Sequence, residues 1–410
     1  MSRLVDVRPG GPHAEVKARL AAAVEAHRDE ILALSHAIHA DPEPAFEEVR
    51  AAERVAAAVR RHGYEVEHPA GSLATAVRGR LRGDRAPGGG SGPRIGVLAE
   101  YDALPGLGHG CGHNTMAASG VGAAVSLSAL REELRGEIVF LGTPAEERGS
   151  GKQVMLDDGL FAGVDAALLF HPSDLTTSSC RLLASIDVDV TFTGFAAHAA
   201  SEPWAGRNAL DALILLFGSI GLWRQQLPAH ARVHGIVLDG GTAANIIPER
   251  AVGRFMLRST EQAFFGAMQE RFRRMAEAAA LATDTELAIA FSGGSDTMLE
   301  SAAILERWRA NQAPYLQASG DLDHPVDPAR LGSSDMGNVS LALPTIHPFV
   351  AICGPGVPGH TVEFRDAAAK PPADEATLLA ATLIAQTAWD LLAEPTLVEA
   401  AWREFRAARG

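Results

Sequence analysis

Cysteine is scarce in this chain: three residues in 410, Cys111, Cys180 and Cys353. So sparse and odd a set excludes the disulfide framework of a small secreted domain. Positive charge is also in short supply, with 36 Lys and Arg against 50 Asp and Glu and a formal net charge of −14. A nucleic-acid binder needs a basic face to displace counterions, so no nucleic-acid partner is expected. No run of 18 or more apolar residues is free of charge, and no membrane span is expected. The opening MSRLVDVRPGGPH lacks the apolar region of a secretory signal, which makes the cytoplasm the expected location. No G-x-S-x-G elbow supplies a serine nucleophile. The glycines at 106, 108, 110 and 112 fit no G-x-G-x-x-G frame. GSGKQ (149–153) has Glu146 and Gln153 where a phosphate loop needs Gly and Ser or Thr.

What the chain does have is length for two domains and an ordinary apolar share of 47%. Residues 14–40 show the spacing of one or two amphipathic helices, and Phe46–His62 continues that pattern until Gly63. Short strands are expected at 64–70 and 73–81, followed by a Gly/Pro loop at 82–94. From Arg94 to Pro172 strands alternate with helices, the strands being RIGVLAEYDAL, EIVFLGTPAEE (137–147) and VDAALLFHP (164–172). Such alternation predicts a mostly parallel sheet with covering helices. Residues 184–293 instead read β-α-β-β-α-β, the split unit of a ferredoxin-like domain. The expected organisation is a catalytic domain over 1–183, an inserted lid and dimerisation domain over 184–293, and the rest of the catalytic domain over 294–410. Helices at about 373–393 and 395–408 close it.

The chemistry concentrates in GHGCGHN, residues 108–114, between an apolar strand and a buried helix of small residues. Strand-to-helix loops are where open α/β sheets carry ligand sites. Cys111 and His113 offer sulfur and nitrogen to one metal ion. Each of the three parallel strands ends in possible donors: Asp102 with the Cys111 loop, Glu146–Glu147, and His171. Strand ends in one sheet lie side by side, so these sets should converge. If Glu146 and Glu147 are extended, their side chains point opposite ways, one toward a metal and the other toward substrate or water.

In sequence order, AEYDALPGLGHGCGHN (99–114), GTPAEERGSGK (142–152), FHP (170–172), GFAAHAASEP (194–203), GTAANIIPERA (241–251), GSSDMGNVS (332–340) and GHTVEF (359–364) carry a resemblance. The chain resembles the binuclear metallopeptidases that include the aminoacylases and glutamate carboxypeptidases. It is most similar to their amidohydrolase branch, with its acyl-amino-acid hydrolases and β-alanyl-lysine-dipeptidase-like proteins. The resemblance implies two divalent metal ions, zinc first and manganese, cobalt or nickel also compatible. Their ligands would be Cys111, His113, Glu147, His171 and His360, with Glu146 as general base. It further implies that His198 reaches the other subunit's site in a homodimer to stabilise the oxyanion. Asn245 would contact substrate, with Arg258 or Arg250 receiving its carboxylate.

Asp102 and Asp335 are candidates to orient ligands, and His109 and His347 to line the pocket. Gly110 stands where the family usually has alanine, a change expected only to loosen the loop, and Asn114 stands where many branch members have Asp. The implied reaction is hydrolysis of the amide bond of an N-acyl amino acid, with a dipeptidase of the same family as the alternative. A non-catalytic metal- or amino-acid-binding protein and an enzyme using Cys111 as nucleophile complete the set.

Overall fold

The computed structural model describes residues 4–85, 92–327 and 331–409. Most of the expected Gly/Pro loop, residues 86–91, lies outside the described residues. The strands in chain order are β1 (Glu65–Glu67), β2 (Val77–Arg82), β3 (Arg94–Glu100), β4 (Glu137–Thr143), β5 (Ala166–Leu168) and β6 (His171–Ser173). They continue with β7 (Ala184–Thr193), β8 (Ala231–Asp239), β9 (Arg250–Ser259), β10 (Glu286–Ser295), β11 (Thr345–Ile346) and β12 (Phe349–Ala351).

The chain forms two compact units. The first comprises residues 1–180, 298–330 and 338–410 and contains a six-stranded sheet of order β1-β2-β4-β3-β5-β11. Strands β4, β3, β5 and β11 run parallel, while β1 and β2 make the antiparallel edge. The parallel core is apolar because helices cover it: β4 is buried at every position. The expected third strand is in fact two. Beyond Leu168 the chain leaves the sheet, and β6 pairs instead with β12 in a separate two-stranded ribbon. His171 therefore starts its own strand, held by the ribbon.

Helix His113–Ser128 is buried along its length and packs on β3 and on helix Pro371–Ala393. The latter is the one helix among the described residues long and apolar enough to cross a membrane. Its most apolar window is 89% buried, as expected of a core helix. The 14–40 segment resolves into two helices, Ala14–Ala26 and Arg28–Ala40, joined at His27.

The second unit, residues 181–297 with 331–337, holds an antiparallel sheet of order β10-β7-β9-β8. Helices Ala209–Arg224 and Gln262–Ala282 pack on it. The first begins at Asn208, whose side chain accepts the Leu210 and Asp211 N–H groups, a cap worth about 1 kcal/mol. Its buried residues Ala209, Ala212, Leu213, Leu216, Ile220 and Trp223 recur at helical spacing and face the sheet core. Leu331–Gly337 clusters with this unit, although the sequence put it in the returning catalytic half. The short stretch is tied in by the Leu183 N–H bonding the Gly332 carbonyl at 2.8 Å.

Candidate metal centre

Neighbouring strands β4, β3 and β5 end on the same side of the first unit's sheet, and the segments that follow them converge. After β3, the turn at 104–112 delivers Cys111 and then His113, the first residue of its helix. Gly112 caps that helix at φ 78°, a left-handed angle that side-chain-bearing residues rarely adopt. A Cβ there would also meet Pro172 Cγ at 2.8 Å. Gly110 is more than a loosening of the loop. A Cβ there would lie 2.5 Å from Leu107 Cδ2, so an alanine would have to displace that side chain.

Donor atoms gather in two groups that share Cys111: Cys111 with His113 and His171, and Cys111 with Glu147 and His360. Within each group the donor atoms lie within 4.8 Å of one another. Cys111 Sγ is 3.4 Å from His171 Nε2, and His360 Nε2 is 3.4 Å from Glu147 Oε2. The His171 Nδ1–H donates to the Pro172 carbonyl at 2.7 Å, which leaves the Nε2 lone pair facing the thiol. Burial, with His347 and His113 nearby, keeps His171 uncharged by lowering its pKa well below the ordinary value.

His113 is oriented from the other side. Its Nδ1 lies 3.0 Å from both the carbonyl and the Oδ1 of Asp102, so Nε2 points into the centre. Burial opposes charge on this ring, but Cys111 and Asp102 outweigh it and raise its pKa well above the ordinary value. Burial likewise drives the Cys111 thiol upward, with Glu147 adding to the effect. Burial also raises the Glu147 carboxyl above its ordinary value, so a thiol, an imidazole and a carboxylate with shifted pKa values share one largely buried cluster, a pattern common at functional sites.

Glu146 and Glu147 do not lie on a strand. β4 ends at Thr143, and the two residues sit in a bend entered through Ala145 at φ 59°. The bend is fastened by Glu48, which accepts the Ala145 N–H at 2.8 Å, and by Asp102, which accepts the Glu147 N–H at 2.8 Å. Divergence of the two carboxylates thus comes from the bend rather than from strand alternation. Glu147 turns to His360, while Glu146 Oε2 comes within 3.8 Å of His113 Nε2. His360 holds φ 62°, and its N–H donates to the Gly110 carbonyl at 2.8 Å. Left-handed non-glycine residues on two sides of one centre are strain of the kind held at functional sites.

Two buried residues in this region went unnoticed in the sequence. Glu100, the last residue of β3, places Oε2 3.2 Å from His113 Nε2, and Lys152 Nζ lies 2.5 Å from its Oε1. A carboxylate ending an otherwise apolar strand was the available signal. His109 and His347 are each anchored to the backbone: His109 Nε2 donates to the Ile38 carbonyl at 3.1 Å and His347 Nδ1 to that of Leu169 at 3.2 Å. Burial lowers their pKa values to about 3 and about 4. His347 also packs edge-on against His171, ring centres 5.5 Å apart.

His113 Nε2 and Glu147 Oε1 are buried, and neither makes a hydrogen bond of good geometry among the described residues, although Glu100 Oε2 lies 3.2 Å from the former. One thiol, three imidazoles and paired carboxylates suit a divalent ion of intermediate softness, so the residues present fit the metals implied by the resemblance.

The remaining candidates belong to the second unit. His198 and Asn245 are neighbours there: His198 bridges to Ile246, and the Ala199 N–H donates to the Asn245 carbonyl. The N–H groups of Ala200 and Ser201 donate to His198 Nδ1 at 3.1 and 3.2 Å. With Nδ1 accepting, the ring proton sits on Nε2. Arg258 is not brought to this pair. It faces Ser185 and Arg232 at the far end of β9 from Arg250, roughly 26 Å along the strand at 3.3 Å per residue. Arg250 lies at the near end, ion-paired with Asp239 at 2.6 Å. Asp335 is fully buried in the 331–337 stretch.

A mostly parallel α/β unit with a thiol–imidazole–carboxylate centre at its strand ends, plus a ferredoxin-like unit, is the architecture of a hydrolase with a metal-type donor set. The chain belongs to Peptidase family M20/M25/M40, which it matches over residues 96–388. It is 34% identical to the human (Homo sapiens) Xaa-Arg dipeptidase, covering 95% of this chain and 92% of that protein. Identity to a p-aminobenzoyl-glutamate hydrolase chain of Escherichia coli (strain K12) is 28%, over 94% and 93% respectively. A dinuclear metal-binding peptidase of Bacillus subtilis shares the fold at TM-score 0.66 and 21% identity, over 90% of this chain and 99% of that one.

Proposed function

We propose that this protein hydrolyses the amide bond of an N-acyl amino acid, using two divalent metal ions and Glu146 as general base. The observation that carries the reading is the pair of donor groups meeting at Cys111, with a further carboxylate, Glu146, beside them. Cys111, His113 and His171 would hold one ion, and Cys111, Glu147 and His360 the other. Zinc suits the thiol and imidazoles best, and manganese, cobalt or nickel remain compatible with the set. When bound, the ions would polarise the scissile carbonyl and acidify the attacking water.

The chain's own residues supply the rest. The Glu146 carboxylate takes the water's proton and returns it to the departing amine nitrogen. Asp102 keeps His113 Nε2 aimed inward and the Glu147 bend in place. His198 of the partner subunit in a homodimer donates its Nε2–H to the carbonyl oxygen as that oxygen becomes anionic. Asn245 accompanies it. Substrate carboxylate falls to an arginine, and the neighbourhood of His198 favours Arg250 over Arg258.

Dimerisation through the second unit is supported by its surface. Ile214, Leu215 and Leu222 are exposed on helix Ala209–Arg224, and Ile236, Val237 and Leu238 are exposed on the edge strand β8. An open, apolar strand edge invites a second copy. The expected location is the cytoplasm, where the thiol of Cys111 stays reduced.

A dipeptidase is the second reading, favoured by the 34% identity to the human Xaa-Arg dipeptidase. Both substrates present an amide followed by a carboxylate, so the same centre serves either. The test is a screen of N-acyl amino acids and of dipeptides, including those ending in arginine, before and after chelation and with Glu146→Gln. Chelator-sensitive amine release, reduced by about 100-fold or more in the variant while metal content is retained, supports the mechanism. Turnover that survives both treatments, or that is blocked only by alkylating Cys111, overturns it in favour of a thiol nucleophile.

A further inference from the structure

A second group of donors stands in the N-terminal helices of the first unit, made of residues the centre at Cys111 does not use. His27 occupies the junction between helices Ala14–Ala26 and Arg28–Ala40, and Glu30 follows one turn later. His62 caps the C-terminus of helix Val49–Arg61, whose chain then turns away at Gly63. These helix ends bring three donors onto one spot. His27 Nδ1 lies 3.3 Å and His62 Nε2 3.1 Å from the same oxygen, Oε2 of Glu30. The two rings meet edge to face with centres 4.9 Å apart, and the three donor atoms lie within 4.8 Å of one another.

We propose that His27, Glu30 and His62 form a third metal site, able to hold a zinc ion, that clips the junction of the first two helices to the end of the third. Two imidazole nitrogens and one carboxylate oxygen make a common three-ligand zinc set, and a water completes the tetrahedron. Side-chain exposures of 36% for His27, 30% for Glu30 and 17% for His62 leave an open side for that water. Only a small separation of the three donors is needed, because an ion must sit between atoms that now touch.

Arg61 does not compete for the position. Its Nη2 holds the other oxygen of Glu30, Oε1, at 2.7 Å. A cation on the far oxygen fixes the carboxylate plane and keeps Oε2 turned toward the imidazoles, the arrangement that commonly supports a ligating carboxylate. Burial works to raise the Glu30 carboxyl, but hydrogen bonds from Arg61 and His62 prevail and keep it below the ordinary value, hence anionic at neutral pH.

The experiment is calorimetric titration of metal-stripped, full-length protein with Zn2+, comparing the wild type with His27→Gln/His62→Gln and with Cys111→Ser/His113→Gln. The first double variant is expected to lose one equivalent of Zn2+ and keep whatever the wild type binds at Cys111. The second is expected to retain that same equivalent. Zn2+ should also raise the melting temperature of the Cys111→Ser/His113→Gln protein, because a ligand binding only the folded state stabilises it. Equal stoichiometry in the wild type and the His27→Gln/His62→Gln protein overturns the site, whatever happens at Cys111. Should that variant fail to fold, Glu30→Gln keeps both rings in place and must show the same missing equivalent.

Discussion

Asp102 Oδ1 lies 3.0 Å from His113 Nδ1, with both side chains wholly buried, while the other carboxylate oxygen accepts the Glu147 N–H at 2.8 Å. One carboxylate therefore sets the direction of an imidazole from the β3 side and the bend that carries two carboxylates from the β4 side. Burial opposes its charge, yet His113 and the Glu147 N–H overcome this and hold its pKa below the ordinary value.

Asp102→Asn should therefore weaken metal retention without unfolding the protein. An amide can still accept the Glu147 N–H, but it no longer favours the Nδ1–H form of His113 electrostatically. The expected loss is about 10- to 100-fold in metal affinity, measured by competition with a chromophoric chelator. Affinity equal to the wild type would mean that His113 is not a ligand.

Gly112→Ala should destabilise the first unit. The left-handed angle of 78° costs an alanine about 1–2 kcal/mol, and its Cβ would meet Pro172 Cγ beside His171. Urea unfolding should show a lowered midpoint at an unchanged slope. Gly106→Ala is the control: it has a comparable angle of 75° and nothing within 4 Å of a new Cβ, so it reports backbone strain alone.

Glu300 makes stability depend on pH. Its carboxylate accepts the Cys180 N–H at 2.8 Å and the Ser179 hydroxyl at 2.5 Å, and burial raises its pKa from 4.5 to about 7. A carboxyl with a raised folded pKa binds its proton more tightly in the folded state. Its contribution is complete below about pH 4.5 and is lost as pH rises through 7. The full loss is about 3 kcal/mol at 1.36 kcal/mol per pKa unit. Glu300→Gln should flatten the fall in unfolding free energy between about pH 5 and 8, as followed by denaturant titration. A decline as steep as in the wild type would assign it to other groups.

Leu222→Glu combined with Ile236→Lys should leave the second unit folded and the protein monomeric by light scattering. Leu222 is 69% exposed and Ile236 58%, so neither contributes to the core, and a charge on an edge strand blocks pairing with another chain. If His198 acts across the dimer, amide hydrolysis should fall with dimerisation while metal content stays constant. Full activity in the monomer would place the oxyanion donor within one chain.

Much of this protein was readable from its residues. The strand alternation from Arg94 onward and the β-α-β-β-α-β order after Ala184 are written in hydrophobic period, which depends only on which face of each element meets the core. The GHGCGHN loop announced itself through residue types that have few other reasons to crowd together. Local pattern was silent where long-range packing decides. That β5 and β6 part company depends on β12, roughly 180 residues away, offering His171–Ser173 a parallel partner. The divergence of Glu146 and Glu147 depends on Glu48 and Asp102 capturing backbone N–H groups beyond the end of β4. Glu100 stands out only as a carboxylate ending an apolar strand, and it becomes a buried ion pair with Lys152 beside His113 only when β3 and the segment after β4 are assembled. Side-chain type and period are local properties; a buried charge and its partner are set by which distant segments the core brings together.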